Sequence, residues 1–246
     1  VGLLDFLTYG CINCIHVIPD LHELEELYPD ELVVIGVHSA KFETEGETEN
    51  IERFAQRYEI EHPLVNDREF EIWQSYGIRA WPSFVLIDPA GNMVARHEGE
   101  GVLTGLGRVI ADVVRTFDEL GELDRRPLQA LAESSAPVPQ SPLRFPANVL
   151  ASAETQRIFI ADTNHHHIVV TDLAGEVLSV IGSGSAGFGD GSFEDASFRR
   201  PQGLALAGED LLYVADTGNH SIRLVDLATG TVSTAAGDGE QGYLWN

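Results

Sequence analysis

The chain has only two cysteines, few basic residues and no long apolar run. Two cysteines among 246 residues exclude a scaffold held together by several disulfide bridges. No apolar stretch reaches the roughly 18 residues that span a bilayer, so we expect no membrane insertion in this segment. The opening residues VGLLDFL lack the basic region of a signal peptide and are typical of a buried strand. This predicts that the chain begins inside a longer protein.

Acidic residues outnumber basic ones strongly. The chain contains 39 Asp and Glu against 15 Lys and Arg, which gives a net charge of -24. A field of this sign repels phosphate backbones and anionic lipid, so nucleic acid and membrane surfaces are not expected partners. The cysteine content leaves the compartment open, and we expect a cytoplasmic location.

Residues 1–120 alternate between strand and helix patterns. LLDFL (3–7) and ELVVIGV (31–37) are short apolar runs suited to a sheet that is covered on both faces. Between them, CIHVIPDLHELEELY repeats its apolar residues every three to four positions, as one face of a helix does. SFVLID (83–88) and MVARHEG (93–99), joined by a turn, predict a β-hairpin. The pattern predicts an α/β domain over residues 1–120.

A linker and a repeat follow. ESSAPVPQSP, within residues 121–142, is rich in Ser and Pro and predicts an extended linker. Residues 143–246 contain IFIADTNHHHIVVTDL from Ile158 and the similar LYVADTGNHSIRLVDL from Leu212. A β pattern repeated at this length is typical of propeller blades. Because a propeller needs about four to eight blades, we expect about two blades of a truncated all-β propeller.

The two cysteines lie in TYGCINCIH, between a predicted strand and a predicted helix. The positive end of the helix dipole and free backbone N–H groups would stabilise a thiolate on Cys11, and the short spacing lets Cys14 reach its sulfur. A zinc site would need two more ligands, and His16 points to a different helix face. A redox pair is therefore favoured over both a metal site and inert structural thiols.

The N-terminal region resembles thioredoxin at specific residues. LLDFLTYGCINC matches the strand-to-motif segment of that family, with Asp5 in the place of its buried carboxylate and Pro19 in that of its helix-kinking proline. YGIRAWPSFVLIDPAGNMV matches the segment around the family's cis-proline, with Pro82 in its place. The resemblance implies an α/β thioredoxin-like fold and thiol–disulfide oxidoreductase activity, for which we expect no cofactor and no metal.

The resemblance also implies roles for the matched residues. Cys11 would be the exposed nucleophile, and Cys14 the buried thiol that resolves the mixed disulfide. Asp5 would accept the proton of Cys14. Pro82, if its peptide bond is cis, would bring its loop against Cys11, where a strand of a protein substrate pairs.

Several residues near the cysteines depart from the thioredoxin pattern. Gly10 stands where a tryptophan is usual, and Trp81 where a threonine or a small apolar residue is frequent. Tyr9, Gly10 and Trp81 are therefore candidate substrate-groove residues, with plain packing as the alternative for Tyr9 and Trp81. GVHSAKF and the insertion after it resemble TlpA-type thioredoxins. There we expect His38 and Glu43 to be loop residues facing water, with polar neighbours of the cysteines as the alternative.

The repeats resemble NHL blades. ADTGNHSIRLVDL carries the Asn-His-x-Ile core of that family, whereas the first copy has His165 at the asparagine position. The whole chain resembles NHL-repeat-containing proteins of the thioredoxin–propeller type, which implies a propeller face that binds protein partners. For the histidines of NHHH (164–167) a structural role is favoured over a metal site. The alternative to an oxidoreductase is a non-catalytic interaction scaffold whose thioredoxin fold senses redox state or is a relic.

Overall fold

The computed structural model describes residues 1–126, 141–240 and 242. The chain divides into two compact units, Val1–Val138 and Pro139–Asn246. Of the predicted linker 121–142, residues 127–140 lie outside the described residues. Among the residues that are described, none of the helices has the length and apolar character needed to cross a membrane.

The first unit contains one five-stranded mixed sheet. Its strands lie in the order β3-β2-β1-β4-β5, with β1, β2 and β3 parallel and the last two joined as a hairpin. The strands are β1 (Gly2–Leu7), β2 (Val33–His38), β3 (Leu64–Asn66), β4 (Ser83–Ile87) and β5 (Met93–Glu98). The parallel strands need helical crossovers, and the helices are α1 (Ile12–His16), α2 (Ile18–Leu27), α3 (Thr48–Tyr58), α4 (Glu71–Ser75) and α5 (Val102–Leu120).

Strand β1 is buried on both faces, which explains its nearly continuous apolar sequence. Leu4 and Phe6 point to one face and belong to one core cluster, while Leu3 and Leu7 point to the other and pack in clusters that include residues of α2. Because side chains alternate along a strand, Asp5 lies between Leu3 and Leu7 on the face that α2 covers. A carboxylate is thereby placed inside an apolar layer.

The helix after β1 is interrupted at Val17, between α1 and α2. Pro19 is the second residue of α2, a position where the missing N–H of proline costs no hydrogen bond. The predicted apolar stripe is buried along most of α2, where Leu21 and Leu24 are 0% exposed, but Leu27 at the end of the helix is 58% exposed. The interruption separates a short helix that carries the cysteines from the helix that covers the sheet.

The second unit contains two antiparallel sheets, which confirms the predicted change from α/β to all-β structure. The first has the order β6-β7-β8-β9 and the second β10-β14-β13-β12-β11. The strands of the first are β6 (Asn148–Ser152), β7 (Arg157–Asp162), β8 (His167–Asp172) and β9 (Val177–Ile181). Those of the second are β10 (Gly191–Ser192), β11 (Pro201–Ala207), β12 (Leu211–Asp216), β13 (Ser221–Asp226) and β14 (Thr231–Ala236). Within 141–240 the sheets do not close into a ring.

Each copy of the sequence repeat forms the same local structure. A strand ending in aspartate is followed by a 3-10 turn, Thr163–His165 in the first copy and Thr217–Asn219 in the second. The next residue, His166 or His220, adopts a left-handed conformation with φ of 55° or 47°. One apolar core joins the two sheets, and it includes Phe159, Ile168, Ile181, Leu212, Val214 and Val225.

Candidate active site

The two cysteines lie on one helical turn but differ in exposure. Cys11 is the N-cap of α1, with an extended backbone, and it is half-buried. Its carbonyl accepts a hydrogen bond from the N–H of Cys14 at 3.1 Å, and its own N–H donates to the Thr8 carbonyl at 3.1 Å. Cys14 is 1% exposed. Both are free thiols, so solvent reaches Cys11, and Cys14 is shielded behind it.

The loop before β4 faces Cys11. The Trp81–Pro82 peptide bond is cis, and the Cys11 Sγ lies 4.0 Å from the Trp81 carbonyl oxygen. The Trp81 ring packs against that of Trp73 with 4.5 Å between ring centroids. On another side, Lys41 Nζ lies 5.9 Å from the centroid of the Trp81 ring. Trp81 thus packs in an aromatic cluster and also borders the half-buried cysteine.

Asp5 is 2% exposed, and its Oδ1 atom has no hydrogen-bond partner among the described residues. Burial raises the pKa of Asp5 from its ordinary value of 3.8 to about 7, against an opposing effect of His62. Burial also raises the pKa of the Cys14 thiol far above its ordinary value; a hydrogen bond with the Thr8 backbone opposes this, and negative charge on Asp5 or Cys11 adds to it. Cys14 therefore keeps its proton until a base accepts it, and Asp5 is a base with a pKa near neutrality.

His62 lies on the same face of the sheet as Asp5. Asp5 is paired with Gly36 in the β1–β2 register, and the Gly36 N–H donates to the carbonyl of Pro63 at 2.9 Å. The His62 side chain reaches α2, where its Nδ1 is 3.1 Å from Glu25 Oε1. Its Nε2 is buried without a partner among the described residues. His62 thus acts on Asp5 electrostatically, while the space over Gly36 is filled by the Leu64 and Leu7 side chains.

Tyr9 and His38 form a stacked pair beside the cysteines. The Tyr9 N–H donates to His38 Nε2 at 3.2 Å, their ring centroids are 5.4 Å apart, and the Tyr9 hydroxyl donates to the Thr44 carbonyl at 3.2 Å. His38 is 0% exposed. Burial lowers the pKa of His38 to about 4, with Glu45 opposing. At neutral pH the ring is uncharged, and its Nε2 accepts the Tyr9 hydrogen bond.

Gly10 is exposed, and its lack of a side chain makes room for Glu45. A Cβ atom built on Gly10 would overlap with the Glu45 carboxylate. Glu45 is 4% exposed; its Oε2 accepts hydrogen bonds from the Thr8 hydroxyl and, at 2.8 Å, from the Lys41 N–H. A carboxylate therefore occupies the space next to the first cysteine into which a side chain at position 10 would extend.

Comparisons with known proteins agree with this geometry. The thioredoxin-like family model matches residues 1–93, and the NHL repeat model matches residues 198–223. The chain joins a thioredoxin-like domain to an NHL repeat. It is 45% identical over 247 residues to Protein SUPPRESSOR OF QUENCHING 1, chloroplastic, of Arabidopsis thaliana, and 43% identical over 245 residues to human NHL repeat-containing protein 2. Each match covers 98% of this chain.

The chain spans only 23% of the Arabidopsis relative and 33% of the human one. The thioredoxin-like domain alone is 29% identical over 93 residues to Thiol-disulfide oxidoreductase ResA of Geobacillus thermodenitrificans, covering 37% of this chain and 49% of that protein. The crystal structure of Thioredoxin-like superfamily protein SPOA0173 is 26% identical, with a TM-score of 0.43, over 46% of this chain and 79% of that one. The thioredoxin-like domain therefore has oxidoreductase relatives.

Around the site of the thioredoxin-like domain, sequence reasoning missed Glu45 and His62 and favoured the wrong alternative for His38. The expectation that His38 faces water is wrong, because it is the last residue of β2 and is stacked under Tyr9. Glu43 is exposed as expected, but Glu45, two residues later, is buried beside Gly10. His62 was not singled out at all. Only the position of His38 directly after the apolar run VVIGV offered a sequence signal.

Proposed function

We propose that the thioredoxin-like domain, predicted over residues 1–120, is a thiol–disulfide oxidoreductase that uses Cys11 and Cys14. One observation carries this proposal: a half-buried cysteine at a helix start lies in front of a buried thiol, with the buried and unpaired carboxylate of Asp5 behind it. The oxidoreductase relatives support the same reaction class. Because the chain spans a minor part of its full-length relatives, the activity of the whole protein is part of this proposal.

In the first step the Cys11 thiolate attacks one sulfur of a protein disulfide. A mixed disulfide forms between Cys11 and the substrate, the substrate disulfide breaks, and its second sulfur leaves as a thiolate. The backbone of the attacking residue is already extended at the N-cap of α1. The free N–H groups of this first turn favour negative charge on the sulfur.

In the second step Asp5 accepts the proton of Cys14, and the resulting thiolate attacks the Cys11 sulfur. The Cys11–Cys14 disulfide forms, the mixed disulfide breaks, and the substrate sulfur that was bound to Cys11 leaves as a thiolate, so that two electrons have passed to the substrate. Asp5 is close enough to Cys14 for its negative charge to raise the pKa of that thiol. The reverse sequence oxidises a dithiol, and the reduction potential of the pair relative to its partner sets the direction.

We place substrate binding at the loop around Trp81 and Pro82. The Trp81 carbonyl lies beside the Cys11 sulfur, and Tyr9 and Trp81 pack in the same cluster as the cysteines. A strand of the substrate that pairs with this backbone brings its disulfide to Cys11. The NHL repeat is proposed to bind protein partners in addition.

The experiment is mixed-disulfide trapping. Cys14→Ser leaves the nucleophile in place and removes the resolving thiol, so a covalent, reductant-sensitive adduct with protein substrates accumulates. Cys11→Ser is the matched control and forms no such adduct. Insulin reduction by the unmodified chain measures turnover. Absence of both trapping and turnover would reject the enzymatic proposal.

A non-catalytic scaffold is the second candidate. Gly10, which is exposed where a tryptophan is usual, and the large Trp81 ring beside Pro82 favour it, because they change the surface that a thioredoxin substrate would meet. This candidate predicts that Cys11→Ser and the unmodified chain recover the same partners in a pull-down under reducing conditions. A loss of partners on substitution counts against it.

A further inference from the structure

The first repeat of the second unit gathers two histidines around one buried carboxylate. His165 Nδ1 lies 2.7 Å and His167 Nε2 lies 3.2 Å from the same oxygen, Oδ2 of Asp162. The ligand atoms of the three residues lie within 4.8 Å of one another. The Asp162 side chain is 0% exposed, whereas those of His165 and His167 are 35% and 19% exposed. The cluster is anchored at its carboxylate and open to solvent at its imidazoles.

The second repeat also has a buried carboxylate, but different side chains contact it. Asp216 is also 0% exposed, but its Oδ2 accepts hydrogen bonds from Asn219 Nδ2 at 2.8 Å and from the Arg223 guanidinium at 3.0 Å. In the first repeat His165 stands at the position of Asn219 and Val169 at that of Arg223. The permanent positive charge is thus replaced by valine, while both carboxylates remain buried.

The remaining contacts of the two carboxylates are the same. Oδ1 of Asp162 accepts the backbone N–H of Arg144 at 2.7 Å, and Oδ1 of Asp216 accepts that of Arg199 at 2.7 Å. The difference between the repeats is therefore confined to Oδ2. Within 141–240, the charge-capable groups that contact Asp162 are the two imidazoles.

A buried carboxylate is costly unless a positive charge compensates it. A divalent cation would supply that charge, and two imidazoles and a carboxylate together are ligands that zinc prefers. The observed N···O separations of 2.7 and 3.2 Å are hydrogen-bond distances. Ligands with bonds of about 2.0–2.2 Å lie roughly 3.3–3.6 Å apart around a tetrahedral ion, so small side-chain movements would admit one. We propose that Asp162, His165 and His167 form a binding site for a divalent transition metal of the zinc class.

The local backbone explains why these side chains converge. The 3-10 turn Thr163–His165 brings His165 back towards Asp162, and the left-handed His166 reverses the chain so that His167 approaches from β8. The hydrogen bond from Arg144 fixes the carboxylate through its other oxygen. Three protein ligands leave the remaining coordination positions to water or to a ligand.

The test is zinc titration of the full chain by calorimetry after removal of metal. Because Cys11 and Cys14 can also bind zinc, both are replaced by serine in the reference protein. His165→Asn and His167→Ser install the residues that the second repeat uses at these positions. The control is His220→Asn, at an exposed left-handed position that asparagine tolerates.

We expect the reference protein to bind one zinc ion and His220→Asn to bind it equally well. Each of the two triad variants should weaken binding at least about tenfold. Absence of saturable binding in the reference protein, or equal affinity in all four proteins, would overturn the proposal. It would leave the thiol proposal untouched, because the two sites lie in different units.

A second measurement uses no variant of Asp162, His165 or His167, so it does not depend on whether such a variant folds. In the reference protein, zinc should protect His165 and His167 from diethyl pyrocarbonate, as measured by peptide mass spectrometry, and should leave His220 fully reactive. If zinc changed the extent of modification of none of the three histidines, the site would be excluded.

Discussion

Replacing Asp5 with asparagine separates the energetic cost of the buried carboxylate from its proposed role as a base. Asp5→Asn keeps the shape of the side chain and removes its titration. Since the pKa of Asp5 is raised by burial from 3.8 to about 7, the folded state holds this proton more tightly than the unfolded state does. Its stabilising effect is fully present below pH 3.8 and declines as the pH rises, until it is lost above about pH 7.

The size of this effect follows from the difference in pKa. A rise from 3.8 to about 7 corresponds to roughly 4 kcal/mol of folding free energy between acidic and mildly alkaline pH. Asparagine loses that dependence but adds a constant cost for burying its amide. The quantity to compare is therefore the change in unfolding free energy between pH 4 and pH 8, in which the constant cost cancels. We expect the unmodified chain to lose about 4 kcal/mol more than Asp5→Asn over this range.

The assay is urea unfolding followed by tryptophan fluorescence. A Trp245→Phe background leaves Trp73 and Trp81 as the two reporters, and both lie in the first unit. Asp30→Asn is the matched control, because Asp30 is an exposed carboxylate of the same unit. The unfolding free energy of Asp30→Asn should change with pH in parallel with that of the unmodified chain.

Asp5→Asn removes the cost of ionising a buried carboxylate, but it is expected to slow the reaction. Loss of the base should slow resolution of the mixed disulfide by about 100-fold or more, while formation of the mixed disulfide by Cys11 changes little. Parallel stability curves for the unmodified chain and Asp5→Asn would refute the argument from burial. Equal slowing of both chemical steps would refute the assignment of Asp5 as the base for Cys14.

Two further predictions concern the surroundings of the cysteine pair. Gly10→Ala should destabilise the first unit by about 1–3 kcal/mol in the urea assay, because its methyl group displaces the Glu45 carboxylate. Gly107→Ala in α5 is the control. It should be neutral or stabilising, because a Cβ atom there meets only an ordinary contact. His62→Ala should raise the pKa of Asp5 further, because the imidazole lowers it; carboxyl NMR of labelled aspartate measures the shift, and an unchanged or lower value would contradict the pairing.

Much of the fold could be predicted because its signals are local. The apolar runs of β1 and β2, the period of α2 and the aspartate-turn-histidine repeat each depend on residues close together in the chain. The exposure difference between Cys11 and Cys14 was expected from the resemblance to thioredoxin, and in the structure Cys11 is half-buried and Cys14 is buried.

The rest of the site could not be predicted because it depends on pairing between distant segments. His62 lowers the pKa of Asp5 although the two residues are far apart in the chain, and no local pattern in the sequence links them. Glu45 reaches Gly10 from a 3-10 turn over Glu43–Gly46, in an acidic stretch where no periodicity distinguishes one glutamate from another. The sequence shows Gly10 as a departure from thioredoxin, but Glu45, the side chain that fills the space beside it, lies 35 residues further along the chain (from 10 to 45).

Three of the four buried aspartates among the described residues show how the compensation of the buried charge differs with the role of the residue. Asp216 has a permanent cation in Arg223 and two further hydrogen bonds, as a structural carboxylate requires. Asp5 has an oxygen without a partner, and burial raises its pKa towards neutrality, as a base that must exchange protons requires. Asp162 lies between these cases: its hydrogen bonds come from the Arg144 backbone and two imidazoles, and among the described residues no arginine or lysine side chain contacts it. Since the Oδ1 contacts of the two carboxylates are the same, an arginine replaced by an open pair of imidazoles supports the proposed metal ion at Asp162 over a purely structural role.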